Sequence, residues 1–501
     1  MTGICRGVLS LGLFVLCAGP FCAQVSRFEL GQRLLSFEQD WKKYDNAEGR
    51  GRASLPLVRA TPYFFSFQLG EAGRALDQAR HLLKSEKKVN SDRQWAESLF
   101  IVPQYRLLPT TAKKLTVKVQ PFYKVESKIP AKAEIRLTLQ NGKGKAVQAP
   151  FRKEITVLPM TIAFPLRNQK EDDCQLIFEV LLRGEVVHAS RQTLSLVRDP
   201  GNRLAALQDA LEKSSGKNSG KNSGDNSGKN SGNNAGINKS TDRETIRTLV
   251  EWLENLRAGA TLEMNFPAAR LLREAEEGWK VLQRGDTFYD RDQTGEFWLN
   301  LVTEKGPALV RVFVPEAAKS GKPIPLVVAL HGAGGSENLF FEAYGAGEVV
   351  KQCQKRGWMV VAPRTNGFVF NAPVAAIVEA LAKRYPLDKN KVFLVGHSMG
   401  AAQAISAAQA NPSSYAGVAA LGGSGRIKKS AKIDSLSFFV GAGTRDFAFE
   451  GARRLADMLK SAGAGFVQFR EYANIEHIVI VQIALPDVFA FFDRNLQNQE
   501  K

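Results

Sequence analysis

The chain has 501 residues, a hydrophobic fraction of 44%, a charged fraction of 24% and a formal net charge of +18. That length exceeds one ordinary core and predicts two or three domains, and the composition is that of globular protein. The charge would suit an anionic partner, but no arginine-rich helix with interleaved aromatics is present, so nucleic-acid binding is not the reading and a basic solvated surface is.

The first 23 residues read as a signal peptide. Arg6 supplies a positive start, and Val8 to Ala18 is an apolar stretch of signal length, too short to span a bilayer. Cleavage is expected near Ala18 or Ala23. Leu16 and Phe21 are bulky where a lipid-anchor signal before Cys17 or Cys22 wants a small residue, so export to the periplasm or medium is expected without an anchor. No later stretch is apolar enough to cross a membrane. Cys174 and Cys353 remain in the mature chain as buried thiols, forming neither a disulfide framework nor a metal-ligand pattern.

Residues 24–108 read as a helical region. Phe28, Leu30, Leu34, Leu35, Phe37 and Trp41 recur at helical intervals. Ala72 to Leu83 is a second helix, with His81 in a structural role. Ser91 and Gln94 form a capping-box signature for a third, ending near Phe100. Residues 109–200 then change to an alternating pattern. Apolar positions at Leu115–Val119, Ile135–Leu139, Ile155–Val157, Leu176–Val180 and Leu194–Leu196, with turn signals at Asn141-Gly142 and Arg183-Gly184, predict a small β-sandwich. His188 lies in one of these strands without a partner cluster and reads as structural.

Residues 214–240 carry a four-residue Ser-Gly-Lys-Asn repeat from Ser215. With no apolar side chains in the repeat, 215–234, to offset chain entropy, the stretch reads as a disordered linker. Residues 241–284 read as a pair of helices. Thr241 with Glu244 opens the first, and Pro267 fits the first turn of the second. Residues 285–497 are α/β. An opening antiparallel pair, 297–302 and 309–314, precedes core strands near 325–330, 358–362, 392–395, 418–421, 436–440 and 466–472. Helices such as 375–384 and 450–462 separate them. Short apolar runs alternating with helices predict a mostly parallel sheet covered on both faces.

The third of these core strands runs into Gly396-His397-Ser398-Met399-Gly400, followed at once by an alanine-rich helical segment. That is the strand–turn–helix setting of a G-x-S-x-G nucleophile elbow. Gly396 and Gly400 allow the strand and helix to approach closely, and His397 reads as elbow packing. Ser398 is the candidate nucleophile, and the Met399 amide at the helix start can face an oxyanion. A nucleophilic serine needs a base and an orienting acid. His477 is the one histidine downstream. Asp446 follows a core strand on a glycine-rich loop, where open sheets place their sites. Asp434 and Glu476 are weaker substitutes, one at the wrong strand end and the other adjoining His477. Upstream, His331-Gly332-Ala333-Gly334-Gly335 follows the first core strand. Gly332 and Ala333 are the candidates for the second oxyanion donor, with His331 supporting the loop. The glycine loop lacks the Lys-Ser/Thr and the spacing of a phosphate-binding motif.

On these motifs, residues 285–497 resemble the α/β-hydrolase superfamily. They are similar above all to its secreted esterase branch, the polyhydroxybutyrate-depolymerase-like and feruloyl-esterase-like enzymes. The resemblance implies ester hydrolysis through an acyl-enzyme, with Ser398 attacking, His477 shuttling the proton and Asp446 orienting the imidazole. No metal or organic cofactor is implied. The stretch from Ala420 to Asp446 is too short to carry a large cap. An open site suited to bulky or polymer-linked esters is therefore expected. Two alternatives remain. One is a serine peptidase of the prolyl-oligopeptidase type, which shares the triad order and would bring a β-propeller. The other is a hydrolase fold used only for binding.

Overall fold

The computed structural model describes residues 20–87, 89–167, 169–216, 230–365 and 372–499. The N-terminal helices are α1 (Pro20–Lys43), α2 (Ala47–Phe65), α3 (Leu69–Lys84) and α4 (Ser91–Ser98). Most of the expected signal peptide, residues 1–19, lies outside the described residues. Helix α2 is absent from the sequence reading because Gly49, Gly51, Pro56 and Pro62 all argue against a helix. It forms nonetheless. Asn46 caps it through Oδ1, accepting from the Glu48 and Gly49 amides at 3.0 and 3.1 Å, and Ala53, Leu57 and Ala60 are buried. The cap of α4 is Asn90, whose Oδ1 accepts from the Arg93 amide at 2.7 Å, so Ser91 is the first helical residue and not the cap.

Two sheets follow. Strands β1 (Leu99–Pro103), β2 (Leu107–Pro109), β3 (Lys114–Pro121), β4 (Ala133–Gln140), β5 (Phe151–Glu154), β6 (Met160–Pro165), β7 (Asp172–Leu182) and β8 (Glu185–Val197) form the orders β1-β3-β6 and β2-β8-β7-β4-β5. Val117 and Val119 of the first sheet share a core with Leu137, Phe178 and Leu196 of the second. This is sandwich packing, not a propeller. The strand expected at Ile155–Val157 does not form. That segment connects β5 to β6, and Val157 is exposed. Cys174 and Cys353 are free and buried, and burial pushes both thiols up.

Helices α5 (Pro200–Gly216), α6 (Asn230–Arg257) and α7 (Ala268–Gln283) come next. The centre of the expected linker, 217–229, lies outside the described residues. Its flanks are helical, because α5 runs to Gly216 and α6 starts at Asn230. Thr241 is therefore inside a helix. Its buried hydroxyl accepts from the Val302 amide at 3.1 Å, a tie to the next sheet in place of the expected cap.

That sheet has eight strands, β9 (Gly295–Thr303), β10 (Gly306–Val314), β11 (Ile324–Leu330), β12 (Met359–Pro363), β13 (Leu387–His397), β14 (Gly417–Leu421), β15 (Ser437–Gly443) and β16 (Phe466–Tyr472). Their order is β16-β15-β14-β13-β11-β12-β10-β9, parallel from β12 through β16 with β9 and β10 antiparallel. The period of two sorts the side chains. Leu326, Val328, Leu394 and Val440 pack on one face with α10 (Val374–Ala382), α11 (Met399–Ala410) and α12 (Phe449–Ser461). Val327, Ala329, Val395 and Phe439 pack on the other with the short α8 (Leu339–Glu342), α9 (Glu348–Arg356) and α13 (Ile480–Gln499). The N-terminal helices join this second face. Phe37, Trp41, Leu57 and Leu76 belong to the same continuous core. No helix among the described residues is long and apolar enough to cross a membrane.

Candidate active site

The C-terminal ends of β11, β13 and β15 meet at one edge of the sheet, where their loops carry the expected residues. Ser398 sits between β13 and α11 with φ +55° and ψ −116°. This is a positive φ that a non-glycine residue holds only when its surroundings dictate it. The surroundings are tight. A Cβ on Gly396 would lie 2.1 Å from the Gly400 carbonyl oxygen, and one on Gly400 would lie 1.9 Å from that of Leu330. Only glycine fits at either place. The Ser398 amide donates to Leu421 O at 2.9 Å, which ties the turn to β14 and leaves the side chain half-buried.

His477 Nδ1 is 2.8 Å from Asp446 Oδ1, and both residues are buried. A carboxylate accepts only, so Nδ1 carries the proton and Nε2 is left as an acceptor. Asp446 is held by its turn. Its amide donates to Gly443 O at 3.0 Å, and Oδ1 also accepts from the Ala448 amide at 2.8 Å. Arg445, its neighbour, does not pair with it but donates to Gly51 O of α2 at 2.7 Å. Asp434 is exposed before β15, at the opposite end of that strand. Glu476 is buried, but its Oε1 accepts from the Ile478 and Val479 amides at 2.9 and 3.0 Å. Burial pushes its carboxyl up to about 7. Neither substitute reaches the imidazole.

His397 does more than fill the elbow. Its Nε2 donates to the His477 carbonyl oxygen at 2.9 Å, and its Nδ1 accepts from the Tyr344 hydroxyl at 2.6 Å. Burial, with His477 nearby, holds it well below the usual histidine range, so it is neutral with a fixed tautomer. Gly332 lies beside the nucleophile, where a Cβ would meet Ser398 Cβ at 3.2 Å and His397 Nδ1 at 3.3 Å. The Ala333 and Met399 amides have no protein partner among the described residues. His331 supports the loop as expected, with Nδ1 at 2.8 Å from Gly332 O and Nε2 at 3.1 Å from the Thr365 hydroxyl.

Two contacts have no counterpart in the sequence reading. Phe447 is largely exposed and packs on His477, with ring centroids 4.3 Å apart. Position 447 follows Asp446 directly, but nothing in the pattern marks it. Tyr344 sits in an irregular loop and is visible only in three dimensions.

Ser398, His477, Ala333 and Gly332 open into one cavity of about 260 Å³. Its other wall is unexpected. Residues of α1 and α2, among them Leu30, Leu34, Ala60 and Phe64, line it. The short Ala420–Asp446 stretch carries no cap, and the wall opposite Ser398 is supplied by these helices. That wall comes from the N-terminal helices, not from an insertion in the sheet. Among the described residues no group of three or more His, Cys, Asp or Glu is placed to hold a metal ion.

No family model and no curated protein sequence matches the chain. Solved structures similar to it belong to the α/β-hydrolase superfamily. A ferulic acid esterase is 18% identical, covering 40% of this chain and 100% of its own, with a TM-score of 0.35. An S-formylglutathione hydrolase from Staphylococcus aureus is 15% identical, covering 40% and 99%, with a TM-score of 0.34. The feruloyl esterase module from Clostridium thermocellum complexed with sinapinate is 16% identical, covering 40% and 87%, with a TM-score of 0.33.

Proposed function

We propose that the chain is an exported serine hydrolase that cleaves carboxylic esters through an acyl-enzyme. Ser398 is the nucleophile. His477 Nε2 takes its proton and later delivers it to the leaving alcohol, and Asp446 holds the imidazole in the tautomer that this transfer needs. The Met399 and Ala333 amides stabilise the tetrahedral oxyanion, a contribution of about 3 kcal/mol per donor in such sites. The observation that carries the reading is the Asp446–His477 pair opening into the same cavity as a serine held in a strained turn at a helix start. In the first half of the reaction the Ser398 oxygen bonds to the acyl carbon and the alcohol leaves with a proton. In the second half water takes the alcohol's place and the acid is released.

The test is hydrolysis of p-nitrophenyl acetate by the wild type and by Ser398→Ala, with fluorophosphonate labelling alongside. Turnover and labelling in the wild type only are expected. Equal turnover by the variant, or no turnover and no labelling in the wild type, would sink the proposal. Export belongs to the same proposal, and an N-terminus beginning near residue 19 or 24 in the purified natural protein is the result expected for it.

A further inference from the structure

The cavity beside Ser398 has a chemistry of its own, and most of its far wall comes from outside the eight-stranded sheet. Leu30 and Leu34 of α1, Ala60 and Phe64 of α2 and Leu76 of α3 face it. Polar groups also line it, and several of them are already paired. Glu263 accepts from the Ser336 hydroxyl and from Asn338 Nδ2 at 2.6 Å. Gln32 Oε1 accepts from Asn265 Nδ2 at 2.8 Å. Arg27, at the rim, donates to Gly334 O at 2.8 Å. A carboxylate, phosphate or sugar hydroxyl pushed among these apolar side chains would lose its water without a hydrogen-bond partner there, at a cost of about 1–3 kcal/mol per group. A methylene chain loses nothing and gains by burial.

We propose that α1, α2 and α3 form an acyl-binding site for unbranched aliphatic acyl groups of medium length. This rests on the ester-hydrolase reading and names its substrate class. Size sets the length. A cavity of 150 Å³ accommodates a benzene ring. At about 260 Å³ this one holds a chain of roughly eight to ten carbons by the same scale. The scissile carbonyl lies at the Ser398 end and the methyl end among Leu34, Ala60 and Leu76.

The experiment is a kcat/KM series on p-nitrophenyl esters from acetyl to hexadecanoyl, with a 3-phenylpropanoyl ester as an aromatic arm. For the wild type, kcat/KM is expected to rise from acetyl to octanoyl by up to about fourfold per methylene and to fall before hexadecanoyl. Ala60→Phe fills the site and moves the optimum to butanoyl or shorter. Leu34→Ala enlarges it and moves the optimum towards longer chains, and it serves if Ala60→Phe does not fold. A wild-type profile that falls steadily from acetyl, a preference for the aromatic ester over octanoyl, or an unmoved optimum in a folded variant overturns the acyl-site proposal. The ester-hydrolase reading stands in each of those cases, because turnover and fluorophosphonate labelling persist. Absence of both removes the two together.

Discussion

Asp446 and Gly400 separate two kinds of requirement at single residues. Asp446 contributes a charge and a direction. Asp446→Ala removes both, leaving His477 Nδ1 without its acceptor and the imidazolium without its counter-charge. A loss of about 10³–10⁴-fold in kcat is expected, with KM little changed. Steady-state kinetics on a short-chain ester checks it, and a loss below tenfold would remove Asp446 from the proposed triad. Gly400 contributes only the absence of a side chain. A methyl group there meets the Leu330 carbonyl at 1.9 Å, so Gly400→Ala should cost at least about 3 kcal/mol in a denaturant titration. The difference also explains what can be read from the chain. The elbow is legible because its glycines and serine are dictated by contacts within a few residues. Asp446 is legible because it follows the apolar strand β15, and His477 because it is the one histidine downstream of Ser398. Tyr344 and Phe447 are not, because an aromatic side chain beside a histidine satisfies no local rule and leaves no periodic trace.

At the level of elements, the central strands of the large sheet, β11, β12, β14 and β15, are readable because both faces are buried and the runs are almost wholly apolar. Helix α2 is the opposite case. Its two prolines and two glycines oppose a helix locally, and it forms because Ala53, Leu57 and Ala60 share one buried face against α3 and the catalytic loops. Its ties to the site are direct. Gly51 O accepts from Arg445, and the Ser54 hydroxyl donates to Asn474 O at 2.7 Å. Tertiary packing therefore carries this helix. Leu57→Ala removes a fully buried side chain from that face and should cost about 2–4 kcal/mol. Because α2 walls the cavity, turnover of octanoyl esters should fall more than that of acetyl esters in the same variant. Equal losses on both would separate α2 from the acyl chain. Thr241 is the converse error. Its capping-box spacing with Glu244 is real, but α6 has begun before it, and its hydroxyl is used across the interface to β9.

At the scale of the whole molecule, the N-terminal helices and the eight-stranded sheet are one packing unit separated by some two hundred residues of chain. No sequence pattern announces that, since each half looks complete alone. The join is carried by apolar burial and by one buried carboxyl. Glu38 of α1 accepts through Oε2 from the Gly345 amide at 2.9 Å and from Gln482 of α13, while Oε1 is buried with no partner among the described residues. Burial pushes its carboxyl up to about 8, from an ordinary value of 4.5. In the folded protein it therefore keeps its proton where the unfolded chain has released it. Between about pH 4.5 and pH 8 the native state binds more protons, so this group's stabilisation is complete at the acid end and is lost as pH rises through 8. Glu38→Gln keeps the shape and cannot ionise. It should therefore lose less stability than the wild type between pH 5 and pH 9, the two curves parting as pH rises towards 8. Thermal unfolding across that range checks it. The same helix walls the cavity, so wild-type octanoyl turnover should decline with the alkaline loss of stability and be retained further in Glu38→Gln. Parallel melting curves for the two proteins would show that ionisation of Glu38 does not govern how α1 is held.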